Sequence, residues 1–526
     1  MPDSPAMHIY VKGHGLDKYP AKAHARRVVE KLEVAEGLLV LAATPSILYP
    51  NSDQPQPFRQ DRYFYYLSGC NEPGCYVAYD IHQDKLVLWL PEIDKRKVVW
   101  SGRGSTVKEA LEKYDIDDAK YISSSDGPIE RGMGRRTTLE EDIQQTISLG
   151  VRDWLYIARG SESQLQYALN CCRVIKDEHE INLIRRANEI TAEAHKAVLC
   201  GIHDFTNEAD VEAAYMGVCI ARHAREQAYL PIAGSGSNAS ELHYVKNEDD
   251  FGHSQMMVLD AGCEYSCYAS DVTRTIPLNR RHPGTWPSEE AKNVYKLVEK
   301  VQEACIADMR PGKSFIEITR LSFDMVLDGL LELGVLKGVR EEVKAAGTHY
   351  GFFPHGLGHH LGLEVHDVAP QAPPKSDGQS RHGPNGEREE QRRRKSGSRN
   401  HSHLPALPAS FDFPALTAVP ANGGAHHADA DHPDYSVLQS GMVVTIEPGV
   451  YFNAYLLDNF FLHSDKHTKF IDKEVLKRYM PVGGVRIEDD ILVTKKGYEN
   501  LTCAAKGDEM LKIIRESAAG SQEAQR

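Results

Sequence analysis

Apolar residues recur at helical spacing through 175–199, IKDEHEINLIRRANEITAEAHKAVL, where Ile181, Ile184, Ala187, Ile190, Ala194 and Val198 mark one face. Asp177 stands near the start as a cap, so the pattern predicts a long amphipathic helix. Before it, LLVLAATPSILYP (38–50), CYVAYDI (75–81) and KLVLWLP (85–91) read as buried strands, and Ala21 to Leu32 and Val107 to Lys113 as helices. FRQDRYFYYLSG (58–69) is rich in aromatics and ends at a glycine, which predicts a core strand. After it, a helix is expected from Glu208 to near Arg225, and two more over 288–309 and 315–333, with Ser288 as a cap. Between these pairs, MVLDAGCEYSCYASDVTRTIP (257–277) predicts two strands of one hairpin, turning within Gly262 to Ser266. LQSGMVVTIEPGVYF (438–452) and VGGVRIEDDILVT (482–494) read as two further strands.

This order of helices, hairpin, helices and strands predicts an α+β domain whose helices cover a curved antiparallel sheet. The break in pattern near Arg173 places it at 176–526, behind a smaller α/β domain at 1–175. Residues 371–434 interrupt the larger domain. Their Pro, Ser, Arg and His-rich sequence lacks apolar periodicity and predicts a disordered insert.

Composition narrows the function. Apolar residues make up 41% and charged residues 26%, as in a soluble globular protein. A formal charge of −14 argues against nucleic acid or an anionic membrane as partner. The ten cysteines lack the repeated CxxC spacing of a zinc site or a compact disulfide framework, and Cys263 and Cys267 read as packing residues. No run has signal-peptide or membrane-span character, so a cytosolic location is expected. The glycines of PIAGSGSNASELHY (231–244) lack the lysine of a phosphate loop.

The candidate chemistry lies in the strands of the second domain. Asp260 and Asp271, on opposite strands of the hairpin, would have Cβ atoms only ~5 Å apart and would repel each other unless a cation lay between them. Taken alone, the pair also fits one turn-capping and one solvated aspartate. FFPHGLGHHLGLEVHD (352–367) adds His355, His359, His360 and His366, with alternation sending His359 and His360 to opposite faces. Val443, Thr445 and Glu447 share one strand face, and Arg486, Glu488 and Asp490 another. A glutamate on an apolar strand is costly to bury unless paired or metal-bound. Asp260, Asp271, His359, Glu447 and Glu488 together form a hard, oxygen-rich set suited to manganese or a similar ion. Four carboxylates balance two divalent cations.

The segments LDAGCEY, SDVTRT, HGLGHHLGLEVHD, TIEPGVY and GGVRIEDD, in this order, resemble the pita-bread (creatinase/aminopeptidase-like) metallopeptidases, in the branch of aminopeptidase P (Xaa-Pro aminopeptidase) and prolidase. The resemblance runs from FRQDRYFYYLSG to GYENLT at 497–502 and lapses only in the insert. It implies two Mn2+ ions on Asp260, Asp271, His359, Glu447 and Glu488, with Asp271 and Glu488 bridging. It further implies that His243, His355 and His366 line the substrate site, that Arg486 orients carboxylates or substrate, and that Glu447 handles the water proton. The implied reaction removes the first residue from peptides with proline second, in a homo-oligomer, dimer or tetramer. Prolidase is the alternative with the same metals. HPDYSVLQSGM (432–442) lacks the arginine that often precedes this stretch, which favours aminopeptidase P. A metal-free binding module of the same fold is the alternative of another class, and the five intact ligand positions speak against it.

Overall fold

The computed structural model describes residues 18–96, 98–122, 155–156, 162–371, 373 and 436–524. Apart from Gln371 and Pro373, the expected insert at 371–434 lies outside the described residues. The chain forms two compact units, 1–187 with 264–269 and 362–368, and 188–263 with 270–361 and 369–526.

In the first unit, five strands run in the order β4-β3-β2-β1-β5: β1 (Leu38–Ala42), β2 (Tyr76–Asp80), β3 (Lys85–Leu90), β4 (Asp118–Tyr121) and β5 (Leu155–Tyr156). Among the described residues, only β3 and β4 pair in parallel. Leu38, Val40, Ala78, Val87 and Trp89 form an apolar cluster on the sheet. The helices are α1 (Ala21–Leu32), α2 (Arg62–Ser68), α3 (Val98–Ser101), α4 (Val107–Lys113) and α5 (Glu162–Val174), followed by α6 (Glu178–Gly201), which continues into the second unit. Helix α1 buries Ala21, His24, Ala25 and Val28.

The expected strand at 58–69 is instead helix α2. Asp61 accepts the backbone N–H groups of Tyr63 at 3.0 Å and Phe64 at 2.7 Å, and Gly69 closes the other end. The caps override the strand preference of the aromatics, because a short helix with satisfied end groups can bury them on several sides. Helix α6 begins with a reciprocal cap in which Asp177 Oδ1 accepts the Glu180 N–H and Glu180 Oε2 accepts the Asp177 N–H. Ile181, Ile184, Ala187, Ile190, Ala194 and Val198 are all buried, as their spacing predicts.

The second unit contains α7 (Glu208–Ala221), α8 (Glu289–Ala307), α9 (Phe315–Glu332), α10 (Arg340–Ala346), α11 (Ala454–Leu456), α12 (Lys473–Tyr479) and α13 (Gly507–Ala524). Ser288 caps α8 by accepting the Ala291 N–H. One sheet has the order β10-β7-β6, from β6 (Ile232–Ser235), β7 (Met256–Asp260) and β10 (Thr273–Pro277). A second has the order β11-β14-β15, from β11 (Val443–Ile446), β14 (Asp489–Val493) and β15 (Tyr498–Asn500), and β12 (Gly449–Tyr451) pairs with β13 (Gly484–Arg486).

Further strand expectations need correction, the single strand expected at 438–452 among them, which divides into β11 and β12. The predicted hairpin exists as β7 against β10, but its partners are Asp260 and Thr273, and Asp271 precedes the strand. The turn is not at Gly262–Ser266: the intervening chain forms the small pair β8 (Glu264–Tyr265) and β9 (Tyr268–Ala269), with Ser266 and Cys267 at φ of 49° and 66°. The continuous strand expected at 482–494 is split into β13 and β14. Its partners β11 and β12 are separated at Pro448, which has no N–H to extend a ladder. At the break the Glu488 N–H turns to the Thr273 carbonyl, 3.1 Å away.

Candidate metal centre

Asp260 ends β7, where Thr273 lies opposite it. Its chain then passes Gly262, where a Cβ would fall 1.8 Å from the Ser270 carbonyl oxygen, so only glycine allows the two limbs of the Asp260–Asp271 loop to come this close. The Tyr229 hydroxyl draws the two carboxylates together, lying 2.5 Å from Asp260 Oδ1 and 2.6 Å from Asp271 Oδ1.

His359 comes from an irregular, extended segment rather than a regular strand. It runs beside β11 through N–H donations from Leu361 to Val443, Thr445 to His359 and Glu447 to Leu357. Gly358 makes the approach possible, since a Cβ there would lie 2.0 Å from the Thr445 carbonyl oxygen. His359 Nε2 is 3.3 Å from Asp271 Oδ2 and 3.5 Å from Glu447 Oε1, while its Nδ1–H faces the His360 carbonyl. Glu447 lies just beyond β11, and Glu488 in the break between β13 and β14. Asp271, His359 and Glu488 present ligand atoms all within 4.8 Å of one another.

Arg486 joins this set from the end of β13. It donates to Asp260 Oδ2 at 2.6 Å, to Thr273 Oγ1 at 3.2 Å and to the Tyr451 hydroxyl at 2.9 Å. Tyr451 in turn is 2.8 Å from His355 Nε2, whose other ring nitrogen faces the Gly356 carbonyl at 2.8 Å. With Nδ1–H donating to that carbonyl, Nε2 is the acceptor, so the hydrogen bonds run from Arg486 through Tyr451 to His355. His243 lies in the same unit on an exposed turn.

His366 falls in the segment grouped with the first unit. There Glu364 pairs with Arg59 at 2.5 Å and Arg62 at 3.2 Å, and Asp367 with Arg173 at 2.5 Å and Lys176 at 3.2 Å. Sequence reasoning missed Tyr229 and Thr273 as polar partners of the acids, and Tyr451 as the partner of Arg486 and His355. Thr273 and Tyr451 stood inside the motifs SDVTRT and TIEPGVY, whereas nothing in the sequence marked Tyr229.

The electrostatics show what is needed here. Burial pushes the Asp271, Glu447 and Glu488 carboxyls upward, to about 7 for Glu447, and the neighbouring carboxylates add to the shift. Burial alone would depress His359, but the Asp271 hydrogen bond and the Glu447 charge raise it to about 9. His355 falls to about 3 through burial and the Arg486 charge. Four acids crowd one imidazole and one guanidinium, and Glu488 Oε1 is buried with no hydrogen-bond partner among the described residues. Such an oxygen-rich, undercompensated donor set fits hard divalent cations.

Residues 182–390 and 413–495 match the model of metallopeptidase family M24, and residues 22–139 that of the aminopeptidase P N-terminal domain. A probable Xaa-Pro aminopeptidase of Aspergillus clavatus is 43% identical over 522 residues, spanning 98% of this chain and 96% of its own length. The chain belongs to the Xaa-Pro aminopeptidase family. Another relative, from Pyrenophora teres f. teres, is 47% identical over 509 residues, which are 96% of this chain and 52% of that longer protein. A solved variant of Escherichia coli aminopeptidase P has 26% identity and a TM-score of 0.67, covering 96% of this chain and 100% of its own. Xaa-Pro aminopeptidase membership carries the α+β pita-bread catalytic fold, the α/β N-terminal domain and the hydrolase chemistry of a metallopeptidase.

Proposed function

We propose that this chain removes the N-terminal residue from peptides with proline in the second position, using two manganese ions held by Asp260, Asp271, His359, Glu447 and Glu488. The observation that carries this reading is the convergence of the five side chains with the buried, unpartnered Glu488 Oε1. Bound there, the ions would supply an activated water and a Lewis acid for the scissile carbonyl. The chain's own residues do the rest. Asp271 and Glu488 would hold the ions together with His359, Glu447 and Asp260, and Arg486 fixes the second oxygen of Asp260. Glu447, its Oε2 4.0 Å from His355 Nδ1, receives the water proton and delivers it to the departing prolyl nitrogen. His243, His355 and His366 line the substrate site, and His366 stabilises the developing oxyanion, since the His355 ring is committed to Tyr451 and the Gly356 carbonyl.

The proposal includes the domain division near residue 175, with the catalytic domain at 176–526. It also includes a cytosolic setting and a homo-oligomeric state. No helix among the described residues is long and apolar enough to cross a membrane. Incubating the manganese-loaded protein with Ala-Pro and Ala-Pro-Ala tests the substrate choice: hydrolysis of the tripeptide is expected, and exclusive hydrolysis of the dipeptide would make it a prolidase. Metal analysis of the purified protein tests the centre, since absence of bound or activating manganese would favour a binding module.

A further inference from the structure

Two adjacent aspartates follow Glu488, and both are fully buried. Asp489 is fully compensated: Arg274 is 2.8 Å from its Oδ1, and Lys506 at 2.8 Å and Asn500 at 2.9 Å reach its Oδ2. Asp490 has no such cation. Its Oδ2 accepts the Asp271 backbone N–H at 3.0 Å and the Asn188 side-chain amide at 2.8 Å, and its Oδ1 has no hydrogen-bond partner among the described residues.

These contacts belong to a closed ring. The Asp490 N–H donates to Thr502 Oγ1 at 2.9 Å, and the Thr502 hydroxyl donates to Asn188 Oδ1 at 2.9 Å. The Asn188 amide then returns to Asp490 Oδ2. The segments at 188 and 271 and the β14–β15 hairpin that carries 490 and 502 are thereby held at one point, and two of the three carry a proposed metal ligand, Asp271 and Glu488. The Asp271 N–H has no sheet partner to fix it, because Asp271 precedes β10. A side-chain carboxylate takes that place. That acceptor ties the Asp271 main chain to the ring.

We propose that Asp490 is a positioning residue for the metal centre: it holds the Asp271 backbone through its N–H and so fixes where the Asp271 carboxylate stands for a divalent pair. This inference rests on the dinuclear reading of the site. Outer-shell partners of this kind are typically worth roughly 10–100-fold in metal affinity.

The test uses full-length, metal-stripped wild type and Asp490→Ala, titrated with Mn2+ by calorimetry. Wild type is expected to take two ions, and the variant to bind at least one of them about tenfold or more weakly. In the loaded proteins, kcat should fall with KM nearly unchanged. In the metal-free proteins, hydrogen exchange at the Asp271 amide should accelerate in the variant, a readout independent of metal. Thr502→Val, which opens the ring without removing the acceptor, should move each quantity the same way by less, and it serves if Asp490→Ala does not fold. Unchanged affinity for both ions in a folded Asp490→Ala would overturn the inference, as would unchanged Asp271 exchange. Wild type that takes up fewer than two ions would instead overturn the reading of the site itself.

Discussion

At the scale of single residues, the centre depends on neutral groups that orient charged ones. Tyr451 is the clearest case, since its hydroxyl accepts from Arg486 and is held against His355. Tyr451→Phe leaves a buried guanidinium N–H and an imidazole nitrogen without this partner, at a cost of about 1–3 kcal/mol. A fall in kcat of roughly 10–100-fold is expected, with metal content unchanged. A variant that lost metal but kept its turnover per bound ion would assign Tyr451 to metal retention instead. The five acidic and imidazole ligand candidates could be picked out from sequence, because a carboxylate or histidine in an apolar setting stands out. Tyr229 could not be, because a tyrosine near the end of a polar loop is unremarkable until folding brings its hydroxyl to Asp260 and Asp271.

At the scale of elements, helices were read more faithfully than strands. The periodic face of α6 and the Ser288 cap of α8 are local signals and survive into the fold. Helix α2 was misread because its aromatic composition suggested a strand, while its caps at Asp61 and Gly69 are single residues easily taken for turn chemistry. The break between β13 and β14 was invisible for a different reason: it is dictated by Pro448 on a partner segment rather than by the strand's own residues. The segment carrying His359 lies against β11 at a spacing that only glycine tolerates. Gly358→Ala would push the backbone away from Thr445, so a loss of about 2–4 kcal/mol is expected, in the range of overpacked and strained sites. Manganese should then raise the melting temperature of this variant less than that of wild type. An equal rise would show that the segment adapts without displacing His359.

At the scale of the whole molecule, acid sensitivity should come partly from histidines outside the chemistry. Burial lowers both His195 and His349 to about 4. His195 Nε2 faces the carbonyl of Ala261, the residue after Asp260. The unfolded chain takes up these protons near the ordinary histidine value, and the folded chain only near pH 4. Stability is therefore complete above about pH 6.5 and is lost as pH falls toward 4, by up to about 3 kcal/mol for each ring. The metal-free melting temperature should decline across that window, and His349→Gln should flatten the decline. An unchanged slope would remove His349 from the account. The two-domain plan was legible because apolar patterning changes near Arg173, but the grouping of 264–269 and 362–368 with the first unit was not, since no local feature marks a segment that folds with a distant one. The split between β13 and β14 also sets a timetable. Glu488 can reach Asp271 only after its strand has docked along Thr273 and Thr275, through the Glu488 and Arg486 N–H groups. A growing chain that has emerged only as far as Glu447 already holds four of the five side chains and cannot close the cage. On the proposed ligand set, metal capture is expected to be one of the last steps of synthesis and folding, and the appearance of bound ion would report that the C-terminal strands have arrived.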